Sequence, residues 1–213
     1  MRTRALLCLL AAAYPMAYAV IIDRIAVVVG NAIVKDSDID RDLRVTAFLN
    51  NQPLNFSAAA RKEAANRQID QVFIRREIRI GDYPAAGLQD ADRQLAALKK
   101  QRFRGDAAFE QALRRYGITN LELRTQFEWQ LTVLRFIDLR FKPAVLITDE
   151  QIEKYYVDHQ AALRRQYPGK SLDDLREQIR EILTGEQVNQ QFFAWLDDQR
   201  KNNKVKFLEE TLA

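Results

Sequence analysis

Segments that read as β-strand occur only at the two ends of this chain, and that placement constrains the fold more than any other feature. Residues 21–29 are rich in Val and Ile, Gly30-Asn31 is a two-residue turn signal, and residues 32–35 resume the apolar pattern. Together they predict a β-hairpin. Near the other end, Lys204-Val205-Lys206-Phe207 alternates charged and apolar residues as a half-buried strand does. One short strand is not stable alone, and the stretch from residue 36 to about 203 reads as helix with short breaks. The terminal strand is therefore expected to join the hairpin. The expected fold class is mainly α, with a small β-hairpin near the N-terminus joined by a C-terminal strand.

Capping residues divide the helical stretch. Asp36 or Ser37 starts a first helix that ends before Pro53, and Ser57 starts a second that runs to Gly81, read as a left-handed C′ residue. Two shorter helices fit residues 89–103 and 106–116, stopped at Gly105 and Gly117. Thr119 with Glu122, and Thr148 with Gln151, are capping boxes. They open helices over about 119–140 and 148–160, the first ended by Pro143. After a break at Pro168-Gly169, residues 171–202 form the last helix, with Gly185 a candidate kink where two apolar stripes change phase. In the 119–140 helix, Leu123, Phe127, Leu131 and Leu134 lie on one stripe, and Trp129, Val133 and Phe136 lie nearly opposite. That helix is expected to be central. Its stripes read as core, or, in part, as the lining of an open groove.

Residues 1–19 read as a targeting segment. Arg2 and Arg4 form a positive start, an apolar run follows, and Ala17-Tyr18-Ala19 supplies the small residues Ala17 and Ala19 of a signal-peptidase cleavage site. The competing reading is an uncleaved anchor, because residues 5–22 carry no charge. Cys8, the single cysteine, lies inside the apolar run, which leaves the processed chain without disulfides or a lipid-anchor cysteine. Removing Arg2 and Arg4 takes the net charge from +4 to +2, with both signs interspersed, a balance that does not point to nucleic acid.

The chemistry of an enzyme is not apparent. Ser37, Ser57 and Ser171 each have a role as a cap or turn residue, and the single histidine, His159, reads as exposed near a helix end. Asp36, Asp38, Asp40 and Asp42 resemble the start of a calcium loop. Arg41 and Ala47 stand where that loop needs Gly and Glu, so the acids read as a helix N-terminus instead. No dinucleotide fingerprint or phosphate loop is present, and no cofactor or metal is expected. Asp173-Asp174, Asp197-Asp198 and the basic run Lys99-Lys100-Gln101-Arg102 read as solvated helix faces.

Several segments, in order, resemble one family. Residues 21–34 followed by Asp36-Ser37-Asp38-Ile39-Asp40 resemble the start of mature SurA-type chaperones, and Ile69-Asp70-Gln71-Val72-Phe73-Ile74 falls where they carry a long amphipathic helix. Residues 121–141 and Thr148-Asp149-Glu150-Gln151-Ile152-Glu153-Lys154-Tyr155-Tyr156 are similar to the end of their N-terminal module. Phe192-Phe193-Ala194-Trp195-Leu196 and Val205-Lys206-Phe207 are similar to their closing helix and strand. In that family, parvulin-type isomerase domains are inserted before the closing helix. Here only 15 residues separate Tyr156 from Leu172, against roughly 50 for a small domain. The resemblance thus implies a signal peptide at 1–19 and a chaperone core at 20–213, made of an N-terminal module at 20–147 and C-terminal helices and strand at 148–213, with no isomerase domain. It implies an ATP-independent periplasmic holdase for unfolded or aromatic-rich chains, outer-membrane proteins above all, with no cofactor. The residues that contact clients are left unassigned. The alternative is a non-catalytic scaffolding subunit that uses the same fold to bind one folded partner.

Overall fold

The two ends of the described chain meet in one sheet. In the computed structural model, which describes residues 23–208 and Leu212, β1 (Ile25–Val29), β2 (Ala32–Lys35) and β3 (Val205–Phe207) form an antiparallel sheet in the order β2-β1-β3. Val27 pairs with Val34 on one side and Phe207 on the other. The β1–β2 turn places Gly30 at φ +58°, the conformation that favours glycine at the first central position. Beyond the ladder, Gly30 N–H donates to the Lys204 carbonyl at 3.0 Å and Leu208 N–H to that of Ala26 at 2.8 Å. The predicted leader, with Ala17 and Ala19, lies outside the described residues.

Eight α-helices occupy the rest of the described chain: α1 (Asp36–Leu49), α2 (Ala58–Ile80), α3 (Leu88–Arg102), α4 (Asp106–Tyr116), α5 (Asn120–Arg140), α6 (Asp149–Asp158), α7 (Gln160–Gln166) and α8 (Leu172–Asn202). The architecture is mainly α, as expected. Ser57, Thr119, Thr148 and Ser171 each accept a hydrogen bond from the backbone N–H three residues on, which is why these helices start where they do.

Four local expectations are corrected. Gly81 is not left-handed: its φ is −86°, and Asp82, at φ +49°, takes that role. Tyr83 N–H then closes the helix end on the Ile78 carbonyl at 3.0 Å, while a Cβ at Gly81 would run into the Tyr83 ring. Second, the helix expected over 148–160 forms as α6 and ends at Asp158, but a further helix, α7, stands between it and the Pro168-Gly169 break. His159 joins the two helices with φ −110° and ψ 13°, its ring stacked on Tyr155 at 4.0 Å and its Nδ1 2.9 Å from the Tyr155 carbonyl oxygen. Third, α8 runs through Gly185 without interruption. Fourth, the basic run at 99–102 is not merely solvated. Arg102 donates to the carbonyls of Leu49 (2.7 Å) and Phe48 (3.1 Å), so it caps the end of α1, and Lys99 pairs with Asp106 at 3.1 Å.

The core is distributed. The sheet packs on α1 and α2 through Val27, Val34, Ile39, Ile69 and Phe73, with Leu212 buried beside them. A second cluster joins α1, α3, α4 and α5 around Phe48, Phe109 and Leu123. A third joins α2, α5 and α8 around Phe136, Phe141 and Phe192, and a fourth gathers α6, α7 and α8 around Ile152, Leu163 and Ile179. α5 is central, as its two stripes predict. Leu123 and Phe127 face the second cluster, and Trp129, Val133 and Phe136 face the third, but Leu134 remains 59% exposed. Buried Thr132 accepts from Ala86 N–H at 3.0 Å and donates to the Glu128 carbonyl, pinning the α2–α3 loop onto α5.

Candidate binding groove

A groove of about 1010 Å³ lies between the hairpin, α1, α2 and α5. Part of its lining is apolar: Val29, Ala32, Ile33 and Val34 from the hairpin, Val45 from α1, Val72 and Phe73 from α2. α5 supplies Leu121, Thr125 and Trp129, residues four apart that lie on one face, together with Glu122 and Gln126. Polar groups line the remaining sides, chiefly Asp38, Arg41 and Asp42 from α1, and Gln68, Gln71, Arg75, Arg76 and Arg79 from α2. The site therefore couples apolar surface to hydrogen-bonding groups. Ile33 and Leu121 are 47% and 68% exposed, which leaves large apolar side chains at the rim open to a partner.

Charge pairs join the helices that bound the groove. Asp36 and Asp40 on α1 pair with Arg61 on α2 at 2.9 and 2.5 Å, and Asp42 pairs with Arg67. The alternating acids at the start of α1 thus clamp α1 to α2 rather than merely favouring a helix N-terminus. Arg41 links Asp38 to Glu122 on α5, each at 3.2 Å. Burial alone would raise the pKa of Glu122, yet hydrogen bonds from Thr119 and Arg41 outweigh it and hold the carboxyl below the usual carboxylate range. On α2, Arg76 donates to Asn203 and Gln199, tying the groove wall to the end of α8. Arg75 lies over the Trp129 ring with 3.9 Å to the centroid, and desolvation lowers its pKa, partly offset by the field of Asp38.

Of the apolar α5 residues singled out from sequence, Trp129 reaches the groove, whereas Leu123 and Phe136 are fully buried in the core. The other groove residues come from segments far apart in sequence, and no short pattern marks them. His159 is exposed and takes no part in the groove, and among the described residues no group of acidic, histidine or cysteine side chains could hold a metal ion. No helix among the described residues is long and apolar enough to cross a membrane.

The described residues thus form a mainly helical frame clasped by a small sheet, with a groove that mixes apolar and arginine side chains. Over 151 residues the chain is 27% identical to Chaperone SurA of Chromobacterium violaceum, a match that covers 68% of this chain and 34% of that protein. The chain is thus SurA-like over two thirds of its own length, and it spans about a third of the relative it matches. No protein-family model matches the chain.

Proposed function

We propose that this protein is an ATP-independent holdase that binds unfolded polypeptides, with outer-membrane proteins in transit through the periplasm as its principal clients. The observation that carries the reading is the groove. Its volume of about 1010 Å³ is at the top of the range of roughly 300–1,000 Å³ for small-molecule sites, and its walls combine apolar patches with amides and guanidiniums. Such a surface suits short stretches of extended chain, whose side chains alternate in character while the backbone needs hydrogen-bond partners. The likeness to a SurA chaperone supports the same reading. The protein acts without catalysing proline isomerisation: the connection from Tyr156 to Leu172 is taken up by α7 and the Pro168-Gly169 turn, and the fourth core cluster packs beneath it. Processing after Ala19 and export complete the reading, with the chain divided functionally at about residue 148.

The test combines two assays on the full purified protein without nucleotide. The first follows aggregation of several unfolded clients, including an outer-membrane β-barrel, and suppression with dissociation constants of around 1 μM is expected. The second follows a proline-limited refolding reaction, whose uncatalysed phase takes on the order of tens to hundreds of seconds, and no acceleration is expected. Failure to delay aggregation at large molar excess, with binding confined to one native protein, would replace the holdase by a scaffolding subunit. Acceleration of the slow phase would overturn the non-catalytic part.

A further inference from the structure

The charges that line the groove do not balance. Each of its three carboxylates is already engaged. Asp38 accepts from Lys35 N–H at 3.1 Å and from Arg41 at 3.2 Å. Asp42 accepts from Arg67 and, at 3.1 Å, from Gln68. Glu122 accepts from the backbone N–H and hydroxyl of Thr119 at 2.8 and 2.9 Å, and from Arg41. Of the four guanidiniums, Arg41 is consumed by those acids and Arg76 by Asn203 and Gln199. Arg75 and Arg79 have no carboxylate partner among the described residues. The contacts of Arg75 are the Trp129 ring and Gln71 Oε1 at 3.5 Å.

Position makes this surplus useful. Arg75 and Arg79 are one turn apart on α2, so their side chains are neighbours on the same helix face. Trp129 lies beneath the Arg75 guanidinium, and the exposed Leu121 of α5 and Ile33 of the hairpin line the same groove. A guanidinium already packed on an aromatic face is held in place, so it gives up less side-chain freedom on meeting a carboxylate than one free in solution.

We propose that the groove selects, among extended polypeptide segments, those with a carboxylate next to an apolar or aromatic residue: Arg75 and Arg79 take the carboxylate, and Trp129, Leu121 and Ile33 take its neighbour. This rests on the reading that the groove binds unfolded polypeptide, and it names the chemistry that the groove prefers. A free, fully hydrated acid lacks the apolar half. A purely apolar segment leaves the two cations unpaired.

The experiment uses a pair of labelled peptides of about 12 residues, containing Phe and Leu and identical except that Asp and Glu in one are Asn and Gln in the other. Fluorescence anisotropy is measured with the full wild-type protein and with the R75Q/R79Q variant. Binding of the acidic peptide about tenfold tighter than its amide twin is expected for the wild type, shrinking as salt rises from about 50 to 500 mM. The variant is expected to bind both peptides equally, at the affinity of the amide twin. Equal binding of the twins by the wild-type protein overturns the inference while leaving the groove reading standing. Failure of both peptides to bind withdraws both readings. A tenfold preference that survives in R75Q/R79Q also overturns it, because the carboxylate is then read elsewhere. The wild-type twin comparison and its salt dependence decide the matter even if the variant folds poorly.

Discussion

Phe136→Ala should be the most damaging single truncation in the α5–α8 contact, and its cost follows from three ring partners. Phe136 is fully buried, and its ring meets those of Tyr83, Phe141 and Trp195 at centroid distances of 5.1, 5.8 and 5.8 Å, each close to edge-on or steeply inclined. Tyr83 lies in the α2–α3 loop and Trp195 on α8, so this side chain joins three parts of the chain. Truncating a buried Phe costs about 3–5 kcal/mol, and inclined aromatic pairs add about 0.5–1.5 kcal/mol each beyond area burial. The middle of the truncation range, about 4 kcal/mol, corresponds to a drop in melting temperature of roughly 8–16 °C for a chain of this size. Leu134→Ala, on the same helix but 59% exposed, is the control and should stay within about 0.5 kcal/mol. Thermal unfolding followed by far-ultraviolet circular dichroism measures both. A fall of less than about 4 °C for Phe136→Ala, or equal falls for the two variants, would show that the α5–α8 contact is not organised around this ring.

Deleting residues 204–213 removes β3 and Leu212, uncovers the β1 edge, and should both lower the melting temperature by several degrees and promote aggregation; an unchanged melt with monodisperse truncated protein would contradict the pairing. Glu122 is held below the ordinary carboxylate range, so the folded state binds its proton less readily than the unfolded chain does. The stability it contributes is therefore present at neutral pH and is lost as pH falls through about 4–5 and below. Glu122→Gln keeps the capping geometry without the titration, and its melting temperature should depend less steeply on pH between about 5 and 3. Intact-mass measurement on exported protein should give a chain beginning at Val20; a mass beginning at Met1, with the protein held in membranes, would mean that the leader is an anchor.

Helix starts were legible because a cap acts over three residues: Ser57, Thr119, Thr148 and Ser171 each carry their signal within one turn. The meeting of the ends was legible because β3 had no other sheet to join. The left-handed residues Asn51 and Asp82 were not, since any of several polar residues could have taken that role. The Asp36, Asp40 and Asp42 pairs with Arg61 and Arg67 were also hidden, because their partners lie on another helix and are set by how α1 and α2 cross. The groove is harder still. It draws on four elements, and its surplus of cations appears only after every carboxylate has been assigned a partner.

The middle position of β1 has a kinetic consequence. β1 and β2 are made early, but Phe207, the partner of Val27, comes about 180 residues later. Closing a loop of that length costs roughly 4–5 kcal/mol of chain entropy by the logarithmic length dependence alone, and no β1–β3 hydrogen bond forms until it closes. Synthesis from the N-terminus therefore leaves the hairpin waiting with one bare edge, and any chain cut short before Val205 keeps that edge for good. β3 works as a latch, and the sheet is complete only when residues 205–207 have been delivered.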